Sequence, residues 1–470
     1  MSTHPLEKLL RPRSIAVVGA SKSGRGGGFV APLLELGFKG DIYPVNPKYT
    51  EIMGMKAYPR VRDIPGHVDY VISSIPAAGV LSMLDDCAEK GVKLVHLFTA
   101  RFSETGRKDA AQLEQDILRK AKESGIRLIG PNCMGIYYPA MGISFNGGMP
   151  RETGSVGVVS QSGQVVGEMV GSAGARGIRF SKAISYGNAL DFNECDYLEY
   201  FAQDPETKVV LLYIEGVRDG PRFLRVLREL TAVKPVIVVK GGRGEAGTRA
   251  TASHTASLAG SREIWQTVVN QTGIITARDL EELIDIAAAF YFLPPFCGRR
   301  VGVTGGGGGK SVLAADLCEE AGLNVIPLPD DIRQELKRQG SPIWDWINNP
   351  ADFSIAMGDN SSSVVMTKLM AGHPDFDLMM LFVSGPWHKD KSFSLDEHMK
   401  HFGLESLNGK PTILVFGERD HGGNGKAAEY EEINTEMKRR LNEAGYPLYP
   451  GIQRAANAVS KMISYYEKKR

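Results

Sequence analysis

The chain has 470 residues, and its 55 Lys and Arg nearly balance 54 Asp and Glu, leaving a formal charge of +1. That length accommodates about two to four domains with their own cores. The charge balance excludes a general electrostatic pull toward nucleic acid or anionic lipid, so any anion site must be local. Five cysteines (Cys87, Cys133, Cys195, Cys297, Cys318) lack C-x-x-C spacing, which argues against a disulfide framework and a zinc knuckle, and no metal site is expected. The opening MSTHPLEKLLRPRS has no apolar signal-like core, and no apolar run approaches the roughly 20 residues that span a bilayer. The expectation is a soluble protein of a reducing, cytoplasmic compartment that engages neither membrane nor nucleic acid.

In chain order, one unit recurs three times: a short β-branched run, a Gly/Ser-rich turn and an amphipathic helix. The first set is SIAVVGAS (14–21), DIYPVN (41–46), DYVISSIP (69–76), LVHLF (94–98) and RLIGPN (127–132). The second is SVGVVSQSG (155–163), VVLLYIEG (209–216) and PVIVVKGG (235–242); the third is RRVGVTGGGGGKS (299–311), LMMLFVSG (378–385) and PTILVFGE (411–418). Continuous apolar strands alternating with helices predict parallel sheets covered on both faces, the doubly wound α/β class. Boundaries near residues 145 and 296, the second marked by LPPFCG, divide the chain into domains 1–145, 146–296 and 297–470.

Ligands of such sheets sit beyond the C-terminal strand ends, where helix N-termini expose backbone N–H groups. In the first domain the turn Gly19, Ala20, Ser21 keeps part of a dinucleotide fingerprint. The second strand ends in Val45, Asn46, Pro47, Lys48, without the carboxylate that an NAD ribose requires. A lysine there suits a nucleotide with an extra ribose phosphate, such as CoA or NADP, and is equally compatible with a solvated surface charge. The third domain's TGGGGGKS starts with Thr304 where a P-loop needs glycine, so it is read either as an anion cradle or as a turn permitting close helix–sheet packing.

In the second domain, GRGEAGTRATASHTASLAG (242–260) places a single His254 among small residues with neither a helical stripe nor a strand alternation, and it is predicted to be a loop. A lone histidine is ordinarily a core residue bonded to a backbone carbonyl. In a loop of small residues, a neutral imidazole is also a nucleophile that can carry a phosphoryl group. That role needs an acceptor for one ring nitrogen, for which Glu215 is the candidate, and N–H donors for the phosphoryl oxygens, for which Ser160, Gln161, Ser162 and Gly163 are.

These motifs, with SHTASLAG, GAS, YPVNPK, GPNCMG, SQSG, YGN and YIEG in this order, make the whole chain resemble the α-subunit of nucleoside-diphosphate-forming acyl-CoA synthetases, the ADP-forming acetate–CoA ligase group related to succinyl-CoA synthetase. The resemblance implies a Rossmann-like CoA-binding domain followed by two flavodoxin-like domains. It implies that acyl-CoA and phosphate give an acyl phosphate and free CoA, that the phosphoryl group passes to His254, and that His254 then forms ATP from ADP, all reversibly. By similarity Glu215 steadies His254 and residues 160–163 bind phosphate. Gly19, Ala20, Ser21 and Lys48 hold CoA, with Pro131 and Asn132 near its thiol end. Three α/β domains consume the chain, so ATP or ADP with Mg2+ is expected on a separate ATP-grasp β-subunit in an α2β2 assembly, with a small carboxylic acid as the other substrate.

Ala256 stands where the family has glycine, and Gly305 where it commonly has asparagine. Two other readings remain at this point: a non-catalytic CoA- or acyl-CoA-binding regulatory protein of the same fold, and an NADP-dependent oxidoreductase. The latter is disfavoured by Asn46 and the missing middle glycine.

Overall fold

The computed structural model describes residues 4–22, 28–255, 262–352, 360–386, 394–400, 402–407, 409–417 and 427–469. They divide into two compact units, Met1–Leu283 and Ile284–Arg470. Residues 1–145 and 146–283 both fall in the first.

The first unit carries two large sheets. One contains β1 (Ser14–Val18), β2 (Asp41–Val45), β5 (Tyr70–Ser73), β6 (Leu94–Leu97) and β7 (Arg127–Ile129) in the order β2-β1-β5-β6-β7, all parallel. Between β2 and β5 lies a small antiparallel pair, β3 (Glu51–Ile52) and β4 (Met55–Lys56). Every residue of β1, β5 and β6 is buried, as expected of central parallel strands covered on both faces. The other sheet contains β8 (Gly135–Tyr137), β9 (Thr153–Ser160), β10 (Phe180–Ser185), β11 (Val209–Ile214), β12 (Val236–Lys240) and β13 (Ile275–Ala277) in the order β13-β12-β11-β9-β10-β8. Its pairings are parallel except for β8, which runs antiparallel to β10 at the edge. The short edge strand follows from connectivity. β8 is reached directly from the first sheet, with no crossover helix to return the chain.

In the second unit β14 (Val301–Thr304), β15 (Leu378–Ser384), β16 (Thr412–Gly417) and β17 (Leu448–Tyr449) form a parallel sheet in sequential order. Helix Ile452–Glu467 packs on helix Gly308–Glu320 beside it. The Thr304 turn joins β14 to the latter helix. At Gly305, with φ of +88°, an added Cβ would lie 2.4 Å from the Phe382 carbonyl oxygen. Close packing therefore requires glycine at that position. Among the described residues, no helix is long and apolar enough to cross a membrane.

Candidate functional site

In an open parallel sheet the ligand crevice lies where the strand order reverses. In the sheet β13-β12-β11-β9-β10-β8 the chain moves from β9 to β10 on one side and later to β11 on the other, so the crevice falls between β9 and β11. The ends of these two strands are Ser160 and Ile214, in a register that pairs Tyr213 with Ser160. The four residues 160–163 and Glu215, predicted separately, meet there.

Ser160 is fully buried, and its hydroxyl donates to the Ser162 carbonyl at 2.7 Å. Ser162 caps helix Gly163–Ala175 by accepting from Val165 N, which satisfies one of the first-turn amides of that helix. Gln161 has a bracing role that the sequence did not reveal. Its amide donates to the Tyr213 carbonyl at 3.1 Å, while its side-chain oxygen accepts from Glu215 N at 2.8 Å and Gly216 N at 3.1 Å. Glu215 is 6% exposed and accepts from the Tyr213 hydroxyl at 3.1 Å. The buried ammonium of Lys240 donates to the Glu215 carbonyl at 2.6 Å. Burial lowers the pKa of Lys240, partly offset by the Glu215 charge. Burial, with the same carboxylate adding to it, pushes the Tyr213 phenol up to about 12. Tyr213 precedes Glu215 by two residues, and strand alternation puts them on one face; that spacing is the signal that could have found it.

His254 lies on the helix Glu245–Thr255, correcting the expectation of a loop from 242 to 260. Residues 256–261, including Ala256, lie outside the described ones. The helix follows β12 and packs against a 3-10 turn, Ser103–Thr105, that belongs to the first sheet's connections. The covering role between β12 and β13 is taken by a second helix, Arg262–Thr272, which packs on helix Gly220–Val233. Its predecessor is thereby an excursion at the C-terminal strand edge.

The first sheet reverses between β1 and β5, again where candidates gather. Gly19, with φ of +88°, sits so close to the residue after β5 that a Cβ would lie 2.7 Å from Ser74 Oγ. Asn46 ties the two predicted turns together: its Nδ2 donates to the Ala20 carbonyl at 2.7 Å and its Oδ1 accepts from Lys48 N at 2.9 Å. Lys48 is exposed at the end of β2, Ser21 is half-buried beside Ala20, and residues 23–27 fall outside the described ones. Pro131 and Asn132 follow β7. There Asn132 N donates to the Thr99 carbonyl at 2.9 Å, and Gly187 approaches so closely that a Cβ would lie 2.2 Å from the Pro131 oxygen. The thiol-end candidates and the phosphate-site sheet are therefore joined directly.

The chain matches the family models for a CoA binding domain over residues 13–139 and for a succinyl-CoA ligase like flavodoxin domain over 153–290. It is 35% identical over 464 residues, 97% of each chain, to acetate–CoA ligase [ADP-forming] II subunit alpha of Pyrococcus furiosus. The chain belongs to the ADP-forming acetate–CoA ligase family. A member from Archaeoglobus fulgidus, acetate–CoA ligase [ADP-forming] I, is 33% identical over 465 residues, covering 98% of this chain but 64% of that one. Within the ligase family, then, the architecture also occurs as part of a longer chain. The structure of the Ca. Korarchaeum cryptofilum dinucleotide forming acetyl-coenzyme A synthetase 1 in complex with phosphate and ADP superposes with a TM-score of 0.81 at 32% identity, covering 99% of this chain and 97% of that one.

Proposed function

We propose that the chain is the α-subunit of an ADP-forming acyl-CoA synthetase, built as a CoA-binding domain, a phosphohistidine domain and a third ligase domain. It interconverts acyl-CoA, ADP and phosphate with carboxylate, CoA and ATP. A phosphate oxygen attacks the thioester carbonyl, and CoA leaves as a thiolate that takes up a proton. An imidazole nitrogen of His254 then attacks phosphorus and the carboxylate leaves. In the last step the phosphoryl group passes to the terminal phosphate of ADP.

Residues 160–163 hold the transferred phosphoryl oxygens at the helix start, and Glu215 orients the imidazole and balances its developing charge. Gly19, Ala20, Ser21 and Lys48 hold the nucleotide end of CoA, with Pro131 and Asn132 toward its thiol. Substrate and transition state are charged throughout, so positioning and oxyanion stabilisation do most of the work. The nucleotide and its Mg2+ belong to an ATP-grasp β-subunit, with α2β2 as the assembly. The A. fulgidus relative, whose longer chain leaves a third of its length unmatched, supports a further module.

The observation that carries this reading is the meeting of the Gly163 helix start and the buried Glu215 at one switch point, with the His254 helix rising from the adjacent strand. The test is incubation with acyl-CoA and labelled phosphate in the presence of the β-subunit. Acid-labile, base-stable label on the wild type, lost in His254→Asn, is the expected result. An unlabelled wild type in that complex overturns the proposal.

A further inference from the structure

We infer that the turn Ser103–Thr105 is the seat on which the His254 helix docks to collect phosphate at the acyl end, and that Glu104 is the positioning residue that fixes this seat. The inference rests on the phosphohistidine reading above and adds a residue from the CoA-binding domain to it. Helix Glu245–Thr255 packs against that turn, and of its described side chains only Thr251 is buried.

The turn is braced from two sides. Glu104 accepts from the amides of Arg101 and Phe102, the latter at 3.1 Å, and from Asn188 Nδ2 at 2.7 Å. Glu114, 1% exposed, accepts from Ser103 N at 2.7 Å. Arg101 is held at φ of +80°, a conformation a non-glycine residue keeps only where its surroundings impose it. The Glu104 carboxylate collects N–H donors and so shapes the backbone of the turn.

Asn188 connects the seat to the rest of the site. It is 3% exposed. Its amide donates to the Pro131 carbonyl at 2.9 Å, its Oδ1 accepts from Asn132 at 3.4 Å, and its carbonyl accepts from Arg218 at 2.6 Å. Arg218 lies three residues beyond Glu215. One asparagine thus links the thiol-end residues, the segment after Glu215 and the carboxylate under the His254 helix. A helix carrying the phosphoryl acceptor would be set by this frame relative to the thioester, whereas transfer at the nucleotide site would not use it.

The test separates the two half-reactions in the complete two-subunit complex, following His254 phosphorylation by rapid quench from acyl-CoA plus labelled phosphate and, independently, from labelled ATP. In Glu104→Ala, loading from acyl-CoA and phosphate is expected to fall about tenfold to a hundredfold, the range for losing a hydrogen bond to a charged group. Loading from ATP is expected to stay within about twofold. Glu114→Gln, which loosens the same turn through Ser103, is expected to give the same split to a smaller degree and serves if Glu104→Ala fails to fold. Equal losses in both directions, or no loss in either, overturn the seat. If the wild type is labelled from neither side, the phosphohistidine reading itself falls.

Discussion

Glu215→Gln removes a charge from the proposed site while leaving its scaffold in place. The substitution keeps size and one acceptor oxygen, so the Tyr213 hydroxyl bond at 3.1 Å can survive. The backbone of residue 215 is held independently, by the Gln161 side chain at 2.8 Å and by Lys240 at 2.6 Å. What disappears is a buried carboxylate, which on the proposed reading faces an imidazole that becomes more positive as it takes up phosphate. A hydrogen bond to a charged partner contributes about 1.5–3 kcal/mol against about 0.5–1.5 for a neutral one, and desolvation at 6% exposure favours the upper part of that range. A loss of about 1.5–2.5 kcal/mol in the transition state corresponds to a rate of His254 phosphorylation about 10- to 70-fold lower. Quenched-flow labelling with acyl-CoA and phosphate reads this directly, with a thermal melt as the control for folding. Tyr213→Phe removes only the neutral donor and is expected to slow loading about twofold to tenfold, less than Glu215→Gln. If Glu215→Gln is phosphorylated at the wild-type rate, Glu215 does not orient the acceptor and its assignment is wrong.

Three further outcomes follow from other parts of the molecule. Lys48→Ala should raise KM for CoA about 1.5- to 5-fold, as expected for an exposed charge pair, while leaving 3′-dephospho-CoA unaffected; equal effects in steady-state kinetics would remove Lys48 from the 3′-phosphate. Burial lowers the pKa of His96, whose Nε2 lies 3.0 Å from the Cys133 carbonyl, from 6.5 to about 4. The unfolded chain therefore binds the extra proton first, and stability falls by roughly 3 kcal/mol as pH drops from 6.5 toward 4; urea titrations should show this slope flattened in His96→Gln. Burial alone would raise the Glu206 carboxyl, but hydrogen bonds from Lys182, Arg11 and Tyr138 overcome it and hold the group at about 2. Its contribution, about 1 kcal/mol after solvent screening, is present above pH 4.5 and lost as pH falls toward 2. Glu206→Gln should make acid unfolding less steep over that window, and an unchanged slope would refute the pairing.

What the sequence disclosed depended on how local its cause was. β1 was legible because all of Ser14–Val18 is buried in a continuous, mostly apolar run. β10 was not, because its fully buried FSKAIS carries Ser181, Lys182 and Ser185. Those polar groups are satisfied from elsewhere, Ser181 by Thr207 at 2.6 Å and Lys182 by Asp204 at 2.9 Å and Glu206 at 2.6 Å. No periodicity announces such partners. The turns of residues 19–21 and 160–163 were legible as strand-to-helix turns, but their place at the reversal points depends on strand order. In the sequence Asn46 stands only where a carboxylate is missing, yet its side chain pins Ala20 to Lys48. Asn188 shows in the sequence only as the end of the YGN motif and Glu104 not at all, because their importance is a meeting of segments from two sheets.

The His254 segment shows why a stretch can be misread as a loop and still suit the proposed chemistry. Glu245–Thr255 has no apolar stripe, and its Gly247, threonines, Ser253 and His254 are poor helix formers; together they make it about 4 kcal/mol less favourable than an alanine helix of that length. An 11-residue helix is marginal in water even at its best. The helix is therefore maintained by its neighbours, among them the turn Ser103–Thr105, and by the burial of Thr251. Releasing it regains backbone entropy of about 1–2 kcal/mol for each freed residue. A carrier that must be ordered at one site and leave for another needs this balance, and a helix with a strong apolar face would have been too costly to detach.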